Sequence, residues 1–125
     1  MNMIYKIGDI CKHFKGTNLL EKNIYKIIDI EVDGSSLNEN IITYTGDKVL
    51  KDAKNLIVYA NIFQENKMFA REYEDISSVL SDEKQAIYNQ RIKVEPLTQE
   101  EIKIINTPEF IEQKTTSVLE KYKNN

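Results

Sequence analysis

"NLIVYANIF", residues 55–63, is the most hydrophobic run of the chain, and the architecture hangs on it. Its apolar side chains fall on both pleat faces, the pattern of a strand covered on two sides, which predicts a strand at the centre of a sheet. "QENK", residues 64–67, interrupts the pattern and "MFAREY", residues 68–73, resumes it. Residues 56–73 therefore predict a β-hairpin with its turn near Glu65 and Asn66, since asparagine adopts positive φ at little cost.

Upstream, "NIYKIIDIEV", residues 23–32, alternates. Ile24, Ile28, Ile30 and Val32 share one face, interrupted by Lys26, while Tyr25, Ile27, Asp29 and Glu31 share the other, which predicts a half-buried strand. "DGSSLNEN" is a loop by its turn residues. "IITYT", residues 41–45, follows as a short strand, and "GDKVLKDAK" as a loop or one helical turn. "ICKHFKG", residues 10–16, makes the first strand and its turn.

Downstream, Ser81 is an N-cap, with Asp82 and Glu83 in the first turn of a short helix where the dipole favours negative charge. "RIKVEPL" alternates and ends as the last strand at Pro96, because proline donates nothing to a ladder. Thr98 and Glu101 form a capping box, and Thr107 precedes Pro108 at a first helical position, so two helices close the chain. In the second, Ile111, Val118 and Tyr122 share a face that Lys114 and Thr115 interrupt. A narrow stripe of that kind suits packing on the sheet or a homodimer formed through the C-terminal helix. The fold class is mainly β with added α. Residues 1–97 form a small β domain with an enlarged 33–55 connection, and residues 98–125 form a helical extension packed on it.

The 125 residues, 41% hydrophobic and 30% charged, supply one modest core and hence one domain. One cysteine excludes an intramolecular disulfide and any site of several thiolates, which fits a reducing compartment. No charged leader precedes an apolar run, and no stretch approaches the ~20 apolar residues of a membrane span, so the expected location is cytoplasmic, with no membrane partner. The net charge is −3, divided unevenly. Residues 1–30 carry five Lys against Asp9, Glu21 and Asp29, whereas residues 64–101 carry five basic against nine acidic side chains. Acidity overall and the lack of a basic helix argue against duplex nucleic acid.

Four blocks occur in order: "GDICKHFKG", "YKIIDI", "VYANIF" and "FAREYE". Over roughly residues 7–97 they resemble the small bacterial and phage family catalogued as domain of unknown function 1653. Its pattern falls on His13, Phe14, Lys15 and Gly16, on Tyr25, on Val58 and Tyr59, and on Phe69, Ala70 and Arg71. Glu72 stands where relatives often carry proline, the link at residues 35–54 is enlarged, and the tail from Thr98 is extra. The resemblance implies a bent sheet of about five strands or an SH3-like barrel. It brings no activity, and through its phage members it allows sequestration of a host signalling nucleotide.

Cys11 and His13 lie two apart on a strand and so face one side, but no third group orients a base beside the thiol, and cysteine is commonly a small buried hydrophobe. No metal-ligand spacing and no phosphate-loop signature is present, so no cofactor is expected and the chain is not expected to be an enzyme. Glu72 and Glu74 are paired carboxylates without a complementary acid or nucleophile. The stronger constellation is aromatic and basic: Lys12, His13, Phe14, Lys15, Tyr25, Tyr59, Phe69, Arg71 and Tyr73. Rings that stack on a base, beside cations that neutralise phosphate, are how small barrels hold nucleotides. The first expectation is therefore a binding module for a small phosphate- or carboxylate-bearing, nucleotide-like ligand. The alternative is a protein partner docked on acidic residues 71–83, through Glu72, Glu74 and Asp75. A structural role for Arg71 stays open beside both, pairing with Asp29, Glu31 or Glu72 to pin the sheet while His13 bonds a turn.

Overall fold

A computed structural model of the chain describes residues 3–64 and 67–123, with side chains described through residue 120. The hydrophobic run forms strand β3, Leu56–Asn61, and Leu56, Ile57, Val58 and Tyr59 are all buried. Its two faces enter different clusters. Ile57 and Tyr59 pack with Tyr5, Cys11 and Ile27, whereas Leu56 and Val58 pack with Val32 and Ala70. β3 pairs on one side with β4, Met68–Glu72, which completes the expected hairpin; its turn at Glu65 and Asn66 lies outside the described residues. On the other side it pairs with β2, Ile24–Val32. β2 then pairs with β1, Ile10–His13, and β1 with β5, Val94–Pro96. The result is an open antiparallel sheet ordered β4-β3-β2-β1-β5, followed by C-terminal helices in a mixed α/β arrangement.

The middle of that order is β2, which corrects the placement of residues 55–63 at the centre. Residues 41–45 form no strand either. Ile42 makes isolated bridges to Lys48 and Phe69, and the chain then leaves β4, so β4 is an edge and β3 lies one strand in. The double burial of β3 has another source: Leu37, Ile41, Val49 and Ala53 of the connection cover its Leu56–Val58 face. The connection sits close because Gly34 lies against the Leu50 carbonyl, where an added Cβ would stand 1.9 Å from the oxygen. Residues 46–54 contain turns and no helix.

β2 does not keep one alternation. Its register against β3 shifts between Ile27 and Asp29 and again before Val32, and Glu31 has φ 53°. Each extra residue in a bulge moves the following side chains to the opposite face. Ile30 consequently joins Tyr25 and Ile27 beside Tyr59, while Ile28 and Val32 pack under the connection and Ile24 packs toward the helices. This corrects the assignment of Ile24, Ile28, Ile30 and Val32 to one face.

Helix α1, Tyr73–Ile76, begins at the end of β4, and α2, Asp82–Tyr88, starts after Ser81, whose side chain accepts from the Lys84 N–H. α3, Gln99–Ile105, carries the complete Thr98–Glu101 capping box, and α4, Pro108–Lys123, begins after Thr107, whose hydroxyl accepts from the Phe110 N–H. Ile105 and Phe110 pack on Ile24 and Leu97. The docked face of α4 carries Phe110 and Lys114, both buried, while Ile111 is 44% exposed. The expected stripe is thus not the buried one, and the Tyr122 side chain lies outside the described residues. Among the described residues no helix is long and apolar enough to cross a membrane.

Candidate functional site

Side chains two apart on a strand share a face, and directly opposite or diagonal residues on neighbouring strands come within contact. Tyr59 is registered opposite Phe69, Ile27 opposite Tyr59, and Cys11 opposite Tyr25. One sheet face therefore carries a row of rings across four strands: Phe69 on β4, Tyr59 on β3, Tyr25 on β2 and His13 on β1. Centroid spacings are 5.8 Å from Phe69 to Tyr59, 4.7 Å from Tyr59 to Tyr25 and 6.3 Å from Tyr25 to His13. Tyr59 is buried, while the other three keep part of their surface in solvent.

Cations surround this row. Arg71 follows Phe69 by two and lies on the same face; its Nε and Nη2 both donate to Asp75 Oδ2, at 2.9 and 2.5 Å. Lys93 Nζ donates to the other oxygen, Asp75 Oδ1, at 2.6 Å. One carboxylate is shared by two cations, so the cluster retains positive charge. The guanidinium carbon stands 3.9 Å from the centroid of the Tyr44 ring, a cation–π contact. Burial works against the charge on Arg71, but the hydrogen bonds and the charge of Asp75 outweigh it and hold the group charged. Burial likewise opposes ionisation of Asp75, and the bonds from Lys93 and Arg71 override it, keeping the carboxyl below its ordinary range.

His13 is shaped by its burial first and by these charges second. Burial, then Arg71, Lys15, Lys93 and Lys22, push its pKa down to about 4, so the imidazole is neutral near pH 7. The Lys15 N–H donates to its Nδ1 at 3.3 Å, the turn bond expected of a structural histidine. Tyr25 and Tyr59 are pushed up, chiefly by burial, and remain phenols. The Cys11 thiol, fully buried, is pushed up to about 12 by burial and then by Asp9, which leaves it protonated and a poor nucleophile.

Of the residues expected from sequence, His13, Tyr25, Tyr59, Phe69 and Arg71 come together. Lys12 does not: it points to the opposite face, where its ammonium donates to Glu101 at 2.6 Å and lies 3.7 Å from Glu95. Phe14 is buried against Tyr88, 5.2 Å between centroids, and borders the row only through His13. Lys15 is exposed on the turn. Tyr73 is buried in α1 against Tyr5, and its hydroxyl accepts from the Ile4 N–H, so it belongs to the core cluster of Cys11, Ile27, Ile57 and Tyr59 rather than to the exposed row. Arg71 pairs with Asp75 rather than with Asp29, Glu31 or Glu72. Asp75, enclosed by Arg71 and Lys93, is thereby withdrawn from the acidic surface, leaving Glu72 and Glu74 exposed. Sequence reasoning missed Tyr44 and Lys93. Lys93 had a visible signal, an outward position in an alternating strand, but Tyr44 reaches Arg71 only because residue 42 bridges to β4.

On the far side of Arg71, between β4 and the connection, a cleft of about 300 Å³ opens between Tyr44, Val49, Leu50, Ala53, Leu56 and Ala70. A larger groove, about 710 Å³, lies between the β3 end and helices α3 and α4. The fold and site define a small mixed α/β protein with an open five-stranded sheet and one aromatic, positively charged face. Compared with known proteins, the chain matches no family model, no curated protein and no solved structure.

Proposed function

We propose that the protein is a non-enzymatic binding module whose ring row, His13, Tyr25, Tyr59 and Phe69, receives a planar ligand carrying phosphate or carboxylate, a nucleotide-like molecule. The observation that carries this reading is the charge state at the row: partly exposed rings lie beside Arg71 and Lys93, which share a single carboxylate, with Lys15 exposed on the turn. Stacking on Tyr25 and Phe69 supplies apolar contact, and the surplus positive charge attracts the anion. We propose further that the open sheet is an SH3-like half-barrel, supported by a meander whose fifth strand returns to pair with the first. Kinship with the 1653 family is proposed on the four ordered blocks, and capture of a signalling nucleotide is the use that kinship allows.

The test is a thermal-shift panel of mono-, di- and cyclic nucleotides, read together with the NMR titration of the single histidine. A ligand that binds only the native state raises the melting point by mass action. An anion on this face also moves the His13 pKa upward from about 4, because it offsets the neighbouring cations. Tyr25→Ala or Lys15→Glu should weaken the hit by about tenfold, a loss of about 1.4 kcal/mol. A flat panel with His13 unmoved at millimolar ligand refutes the proposal.

A further inference from the structure

We infer that the outer edge of β4 docks an extended peptide with an apolar side chain beside a lysine or arginine, at a site that adjoins the ring row only through Arg71 and Asp75. The hydrogen-bond phase of β4 carries the first step. The Tyr73 N–H donates to the Asn55 carbonyl at 3.0 Å, and Arg71 and Phe69 lie opposite Ile57 and Tyr59 in the same phase. In an antiparallel ladder alternate residues bond inward and the residues between them point outward, so Met68, Ala70 and Glu72 present their amide groups to the edge. The Ala70 N–H is taken, donating to the Ile42 carbonyl at 3.0 Å. The Ala70 carbonyl and the Glu72 N–H, next along the edge, have no further partner among the described residues.

This gap has a structural cause. A strand continuing from Ile42 would fill it, but the chain turns away, with the Gly46 N–H donating to the Thr43 carbonyl and Gly46 at φ 89°. One residue of an added strand can therefore exchange hydrogen bonds with Ala70 and Glu72, lying opposite Arg71. Its neighbour then projects to the Leu56–Ala70 face, because successive side chains alternate. That face is where the cleft of about 300 Å³ lies, its floor formed by Val49, Leu50, Ala53, Leu56 and Ala70 and its rim by Arg71, Glu72 and Asp75. Leu50 and Tyr44 at its mouth are 72% and 61% exposed, which is a large apolar surface for two loop residues.

Charge selects the occupant. Glu72, Glu74 and Asp52 are exposed around the adjoining depression and form no ion pair among the described residues, whereas Lys54 there is paired with Asp33 at 3.4 Å. A basic residue flanking the apolar anchor meets these carboxylates. Main-chain pairing on an open edge with a pocket for one side chain is a known mode of peptide capture.

The experiment selects a displayed random decapeptide library on the wild-type protein, with counter-selection on Leu50→Glu, whose side chain is mostly in solvent. The expected result is enrichment of β-branched or aliphatic residues next to Lys or Arg. The selected peptides should bind at least tenfold more weakly to Leu50→Glu and more weakly in high salt, and shift the amide signals of Ala70 and Glu72. Failure to enrich, equal binding to both proteins, or shifts confined to His13 and Tyr25 overturns the inference. A concentration-dependent dimer of the free protein that Leu50→Glu abolishes assigns the edge to a second copy and overturns it as well. Leu50 lies outside the ring row, so the nucleotide panel on Leu50→Glu should be unchanged.

Discussion

His13 and Arg71 show how one residue's environment is set by a few neighbours. Nothing in "ICKHFKG" marks the histidine as neutral; its state follows from burial and from cations contributed by β4, the residue before β5 and the turn after β1. The sign of the resulting pH dependence is definite. The folded pKa of about 4 lies below the ordinary value of 6.5, so between these two pH values only the unfolded chain takes up the proton. The contribution is fully present above pH 6.5 and is lost as pH falls toward 4, to a limit of about 3 kcal/mol. Comparing urea midpoints of the wild type and His13→Asn from pH 7 to pH 4 checks it. The variant keeps an acceptor for the Lys15 N–H and should lose stability less steeply with acid. Parallel curves would show that His13 is not the group responsible. Arg71 illustrates the limit of residue-level legibility: its partner Asp75 is four residues on, within reach because Tyr73 begins a helical turn where the sequence continues a strand pattern.

At the scale of elements, the features legible in the sequence are those whose chemistry is local. Ser81, the Thr98–Glu101 box and the Thr107-Pro108 start all mark helix N-termini where the structure has them, since a cap is decided by side chains three residues apart. The bulges of β2 are different. Glu31 adopts φ 53° although glutamate has no intrinsic taste for it, so the reversal of Ile30 to the ring-row side has no local marker. The missing strand at residues 41–45 is likewise a matter of pairing, settled by whether β4's edge stays in reach beyond Ile42. The capping box also yields a measurable cost. Thr98→Ala removes the acceptor for the Glu101 N–H, bonded at 3.1 Å, and loosens the glutamate that also receives Lys12. The expected loss is about 1 kcal/mol by urea denaturation. A loss below a few tenths would mean that α3 is held by Ile105 packing alone.

At the scale of the whole molecule, the buried lysines Lys22 and Lys114 tie the turn after β1 to the helices. Lys22 Nζ donates to the Phe14 and Tyr88 carbonyls, at 2.7 and 3.0 Å, and Lys114 Nζ donates to the Leu20 and Lys22 carbonyls, both at 2.5 Å. The chain of contacts runs from the end of α2 through the turn at residues 14–22 to α4. An ammonium is suited to the task because its three donors satisfy several carbonyls at once, while its four-carbon stem packs among apolar groups. The polar position that interrupts the stripe of α4 is therefore the one that docks it. Lys114→Met retains the stem and removes the donors, leaving the Leu20 and Lys22 carbonyls to find other partners in a buried site. The expected cost is about 2 kcal/mol, read as a lower urea midpoint with an unchanged slope. The same turn follows His13 and Phe14, so hydrogen exchange at the His13 amide, which donates to the Asn23 carbonyl, should accelerate in the variant. An unchanged midpoint and unchanged protection would mean that Phe110 and Ile105 alone seat the helices, and that α4 can be removed without disturbing the face that carries the rings.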